Sequence, residues 1–397
     1  MKTKITEGFV ALNIGKNLSQ ILMIIAIGNM FLACSNKNQL SDHLEVSKSN
    51  TDNPQETTEK TPPENNGTTE KTGTFAINPQ FDDAHGFYEG LGAVSIGIIP
   101  NEKWGYVDKT GKLVVALQFD FTEDFREGLA KVVIEGKKGY IDKTGKIVIK
   151  PQFQDAANFS EGLAKVQIAG KIGYIDKIGK VVIKPQFDEA GNFSEGLASV
   201  TISNDKTGKI GYIDKTGIIV IKPQFYNVRE FSEGLVAVQI GDDETGKWGY
   251  LDKTGKMVIE PQFDLTFGFS EELAAVRVGG QWGYIDKTGK MVLKLQCDFA
   301  EGFKGGIAAI KIGDAKSGKW GYIDKTGKWV ITPQFDNIRI FSEGLAAVKI
   351  GDDETGKWGY IDKTGKMIIK PQFDMTYRFS EGLAEVMIAG KWGYIYR

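Results

Sequence analysis

Lys247-Trp248-Gly249-Tyr250-Leu251-Asp252-Lys253-Thr254-Gly255-Lys256-Met257-Val258-Ile259-Glu260-Pro261-Gln262-Phe263 is the stretch whose reading decides the fold. Its period is two. Trp248, Tyr250 and Asp252 share one side of an extended chain; Met257, Ile259, Pro261 and Phe263 share one side of the next. Such alternation marks strands. Asp252-Lys253-Thr254-Gly255 reads as the hairpin between them, with Gly supplying the positive φ of a turn plus bulge. Pro cannot donate to a ladder, so the second strand is expected to stop at Pro-Gln-Phe. A tight Phe-Ser-Glu-Gly corner then leads to a third strand, as in Leu163-Ala164-Lys165-Val166-Gln167-Ile168.

This pattern recurs along the chain. The Gly-Tyr step falls at Tyr106, Tyr140, Tyr174, Tyr212, Tyr250, Tyr284, Tyr322, Tyr360 and Tyr394, spaced by 34 or 38 residues (140 − 106 = 34; 212 − 174 = 38). A period of this size marks a repeat architecture. The four extra residues sit in one hairpin tip, as in Gly241–Lys247. An even insertion keeps the strand faces in phase. Residues 74–397 therefore read as an all-β array of about nine three-stranded units.

The phrases Lys-Trp-Gly-Tyr-Ile-Asp-Lys-Thr-Gly-Lys, Ile-Lys-Pro-Gln-Phe-Asp and Phe-Ser-Glu-Gly-Leu-Ala resemble the WG (KWG) repeat family of bacterial proteins. The resemblance spans about residues 75–397. It implies a β-rich repeat protein, often exported or lipid-anchored, with no established general activity. A 34-residue unit is short for a propeller blade of about 40–45 residues. An open or curved superhelical stack is therefore the expected architecture, with a closed propeller-like toroid as the alternative. The array starts and ends mid-unit, so its last strand could complete the first sheet of a ring or serve as a cap.

The first forty residues read as an address. Lys2, Lys4 and Lys16 precede an apolar run from Ile21 to Ala33 broken only by Asn29. That run is too short to span a bilayer and reads as a secretory signal over residues 1–33. Phe31-Leu32-Ala33-Cys34 resembles the bacterial lipobox, which implies lipidation at Cys34 and a membrane anchor. Residues 34–73 then form a polar linker. From Ser47 to Thr72 it has no aromatic and no large aliphatic residue, so it is expected to be disordered. The expected location is the bacterial cell envelope, facing periplasm or exterior.

Composition narrows the function. Lys plus Arg is 49 and Asp plus Glu is 51, a net charge of −2, which gives no field to hold nucleic acid. Two Cys exclude a disulfide framework, and two His exclude a repeated His-based metal site. His43 and His85 have no repeated acid or nucleophile beside them. Cys297 replaces the Phe of Pro-Gln-Phe and reads as a small core residue. The repeated Asp and Glu read as turn chemistry. No catalytic residue, cofactor or metal is expected. Trp104, Trp248, Trp282, Trp320, Trp358 and Trp392 occupy one repeated slot, which holds Lys138, Ile172 and Ile210 in other units. That slot reads as half-exposed: either packing between units or a row of platforms for sugar rings or partner side chains. The expectation is a monomeric, non-catalytic scaffold for a protein partner, with a carbohydrate-binding module as the alternative.

Overall fold

The computed structural model describes residues 72–202, 208–242, 245–314 and 316–397; Cys34 and the expected signal lie outside the described residues. Nine four-stranded antiparallel sheets follow one another along the chain. The first contains Asp83–Tyr88, Leu91–Ile96, Lys103–Val107 and Leu113–Phe119. The next seven repeat this order. The ninth contains Met375–Thr376, Leu383–Ile388 and Lys391–Tyr396, and its fourth strand is Phe75–Phe81 from the other end of the array. Phe75 pairs with Ile395, Ile77 with Tyr394 and Phe81 with Trp392. The result is a closed nine-bladed β-propeller.

This corrects three expectations. The array is not an open or curved superhelical stack; the closed toroid fits. The first strand completes the last sheet, rather than the reverse. Each blade has four strands, not three. From blade 2 onward the missed strand is only two residues long, as in Asp155–Ala156, and two residues carry no period. The Pro-Gln-Phe step also lies inside its strand, as in Met257–Phe263. That strand is the outer edge of its blade and shifts register beside Pro261, so the absent N–H breaks no ladder bond.

The cores lie between blades rather than within them. One cluster joins Leu235, Trp248, Tyr250, Ile259 and Phe263 of blade 5 to Phe269, Ala274, Val276 and Ile285 of blade 6. Each of the nine repeated Tyr donates its hydroxyl to a backbone carbonyl of the next blade, at 2.5–3.2 Å. Its ring packs against the next blade's corner Phe, centroid to centroid 4.6–5.2 Å. Burial pushes these phenols above their ordinary range, so they stay neutral donors. The ninth contact closes the circle: Tyr394 of blade 9 meets the His85 carbonyl and the Phe87 ring of blade 1. A single blade cannot bury its apolar faces alone, so stability is a property of neighbouring pairs.

Candidate functional site

The hairpin acids behave as turn residues. Asp108 Oδ1 accepts from the Thr110 N–H at 2.9 Å, the Thr110 hydroxyl at 2.6 Å and the Lys112 N–H at 3.1 Å. The corner acids do more than the sequence suggests. In Ser160-Glu161-Gly162-Leu163 the two central residues both have positive φ, 53° and 85°. A Glu in the left-handed region costs roughly 1–2 kcal/mol. The cost has a counterpart across the blade junction. Glu161 accepts from the Gly196 N–H of the next blade at 3.0 Å and pairs with that blade's Lys215 at 3.0 Å. Equivalent corner carboxylates reach across eight of the nine junctions, including Glu381 of blade 9 to Gly90 and Lys109 of blade 1. These acids are latches between blades.

Five of the six Trp of the repeated slot present no open face. Trp104, Trp248, Trp282, Trp358 and Trp392 are only 2–6% exposed, and Trp320 is half-buried. Neighbouring inner-edge residues cover them. Arg229 lies 5.1 Å from the Trp248 ring and Arg339 5.1 Å from Trp358. Phe121 packs edge-on to Trp104 at 5.4 Å, and Tyr377 stacks on Trp392 at 5.8 Å. A sugar ring needs an open aromatic face, and five of the six have none. Lys138, Ile172 and Ile210 in the same slot are half-buried.

The residues that do differ from blade to blade lie just before the corner Phe, on the inner edge of each sheet. They are His85-Gly86 in blade 1, Glu123-Asp124 in blade 2, Arg229-Glu230 in blade 5, Arg339-Ile340 in blade 8 and Tyr377-Arg378 in blade 9. At the closing seam they converge with other unrepeated side chains. His85 Nδ1 lies 3.3 Å from Asp124 Oδ1, and the His85 ring lies 5.0 Å from Trp104. Arg378 Nη2 donates to the Tyr88 hydroxyl at 3.0 Å, and Arg126 lies 4.2 Å over the Tyr88 ring. Glu385, 6% exposed, faces the same group from blade 9, and its Oε2 has no hydrogen-bond partner among the described residues. Sequence reasoning set His85 aside because nothing around it repeats; that lack of repetition is what distinguishes the cluster. Among the described residues no group of three His, Cys, Asp or Glu side chains is arranged to hold a metal ion. Cys297 is half-buried, and burial pushes its thiol up to about 11.

The seam cluster gives stability a defined pH dependence. Burial raises the Glu385 carboxyl from 4.5 to about 7 and also raises Asp83. Burial works against the protonated form of His85, but the Asp124 hydrogen bond and the charges of Asp124, Asp83 and Glu385 outweigh it, so its pKa is raised. The folded state thus holds these protons more tightly than the unfolded chain. For Glu385 the contribution is fully present below about pH 4.5 and is lost as pH rises through about 7. For Glu385 the shift corresponds to on the order of 3 kcal/mol. The latch carboxylates Glu161 and Glu195 act oppositely. Burial raises them, but the Lys and Gly N–H partners outweigh it and hold them low, so their contribution is lost as pH falls through the acid range. Stability should therefore peak in mildly acidic solution. Glu385→Gln should raise the melting temperature by several degrees at pH 8 and by little at pH 4.5. Equal shifts at both pH values would contradict the assignment.

No curated protein matches the chain. Among solved structures, that of the eukaryotic initiation factor is similar, with TM-score 0.56 and 10% identity over 76% of this chain and 90% of that one. Weaker likenesses include Kluyveromyces lactis Hsv2p (TM-score 0.37, 12% identity, 72% of this chain and 97% of that one) and Porphyromonas gingivalis dipeptidyl peptidase 4 (TM-score 0.45, 10% identity, 74% and 60%). The initiation-factor likeness concerns the fold alone. The family model for the WG containing repeat matches nine times, at residues 70–97, 104–137, 139–171, 172–206, 210–242, 248–282, 282–314, 320–352 and 358–392. Those nine matches recur at the period of the blades, each running from the end of one blade into the next, and the chain belongs to the WG-repeat family.

Proposed function

We propose that this propeller is a non-catalytic scaffold that holds a protein partner at the inner edge of its blades, tethered to the bacterial envelope through lipid on Cys34. One observation carries the reading. The Tyr, Phe, Gly and Glu that build the ring recur with few changes, whereas the inner-edge residues differ in charge and size from blade to blade. A frame that repeats while its rim varies suits recognition of an asymmetric surface, where a few unlike side chains supply most of the binding energy. The rim's mixed charges and aromatics, such as Arg126, Tyr88 and Phe121, suit a protein partner.

The test compares the full chain with a Tyr88→Ala/Arg126→Ala variant. Partners captured by cross-linking in envelope extract should be lost in the variant while its melting temperature changes by only a few degrees. Capture that is the same in both would overturn the rim assignment. Saturable binding to a glycan array, lost in Trp320→Ala, would favour the sugar reading. Cys34→Ser should move the chain from the membrane to the soluble fraction; unchanged fractionation would remove the anchor.

A further inference from the structure

The latches supply their own reference for how this fold holds a carboxylate. At eight junctions a corner Glu from one blade accepts from a backbone N–H in the next blade's corner, at 2.9–3.1 Å. At seven of them a hairpin Lys of that next blade also lies 3.0–3.3 Å from the carboxylate.

The ninth junction, between blades 7 and 8, has the donors without the acid. Gly305 stands where the other blades carry Glu. The receiving N–H belongs to Gly344, which is exposed and has no partner among the described residues. Lys363 stands where the latch Lys stands; it keeps the donation to the corner carbonyl that Lys109 and Lys325 also make, here to Gly305 at 2.8 Å, and among the described residues pairs with no carboxylate. Arg397 stands at the latch-Lys position of blade 9 and so belongs to the neighbouring blade 8–blade 9 junction, which Glu343 fills. A Cβ placed on Gly344 would lie 3.2 Å from the Arg397 Nη2. Asp362 does not bar an anion. Its Oδ1 is taken up by the Thr364 and Lys366 N–H groups, and its counterpart Asp142 sits in the same way beside Lys143, which pairs with Glu89.

We propose that the blade 7–blade 8 junction is a binding site for a carboxylate supplied from outside the ring, held by the Gly344 N–H and Lys363. Seven of the eight filled junctions show that backbone N–H donation and one ammonium suffice to seat a carboxylate here. The ninth keeps both. This site is separate from the rim and does not rest on the rim's role.

The probe is acetyl-Phe-Ser-Glu-Gly-Leu-amide, which copies the protein's own corner, titrated into the full chain labelled with 15N-glycine. The Gly344 amide resonance should shift saturably, while Gly234, whose N–H already meets Glu195, stays still. The analogue with Gln in place of Glu should give no shift. Sodium acetate separates the sources: a matching shift assigns the site to free carboxylates as well, and none assigns it to carboxylates carried on a polypeptide. In Gly305→Glu the ring's own carboxylate should fill the site, and the peptide response should vanish. The variant should fold, because Gly305 has φ 64° and the eight corner Glu sit at 50–55°. Lys363→Gln keeps the corner intact and should weaken the response at least tenfold. An unmoved Gly344 resonance, an equal shift at Gly234, an equal response to the Gln analogue, or an undiminished response in either variant would overturn the proposal.

Discussion

Deleting Phe75–Phe81 should lower the melting temperature by about 10 °C or more and make the chain self-associate. The segment supplies the outer strand of blade 9, where Ile77 and Phe81 are 4% and 5% exposed. Burial of two such side chains is worth roughly 1.5–3 kcal/mol each. Together that is a large part of the total stability of about 5–15 kcal/mol usual for a folded domain. The deletion also uncovers Trp392, and it strips the partner from Lys391–Tyr396, leaving an unpaired edge. Thermal unfolding and size-exclusion chromatography of the deleted chain check both effects. An unchanged melting temperature would mean that this strand does not close the ring.

Gly249→Ala should be far more damaging than Gly234→Ala, although both replace a repeated glycine. A Cβ on Gly249 would lie 2.5 Å from the Ile259 carbonyl oxygen and 2.8 Å from the Pro261 nitrogen. Both are backbone atoms of the neighbouring outer strand, at the point where its register shifts. Neither can yield without breaking the strand pair, so the change should cost about 3 kcal/mol or more. Gly234 sits in a corner at φ +85° with nothing within 4 Å of its missing Cβ. There the cost is conformational alone, about 1 kcal/mol. Paired calorimetric measurements decide the matter, and equal losses would contradict the packing account of the Gly-Tyr step.

Much of the blade was legible in the sequence because its long strands alternate. The Tyr spacing set the number of units, and the Asp108-Lys109-Thr110-Gly111 hairpins fold as their residue types suggest. Other features depend on the ring and leave no local trace. Nothing within Phe75–Phe81 says that its partner stands at the far end of the array. Asp155–Ala156 is too short to show a period. Glu161 reads as a corner residue because its reach to Gly196 and Lys215 exists only once two blades stand side by side. The Trp slot misled for the same reason. Its acceptance of Lys138 and Ile172 pointed to exposure, but Arg229 and Arg339 arrive from the ring geometry to cover Trp248 and Trp358. The seam cluster was hidden because Glu385, His85 and Asp124 come from three different blades.

Closure of the ring is the claim on which the latches, the seam and the vacant ninth junction all depend. It is tested most directly by a pulsed electron-spin distance between labels at Gln80 and Lys391, in a chain whose two native cysteines are replaced by serine. These positions lie on adjacent strands, whose backbones are about 5 Å apart. A closed ring therefore predicts one narrow, short distance, under about 20 Å once label length is added. A long or broad distribution, as nine units stacked in an open array would give, would contradict the account.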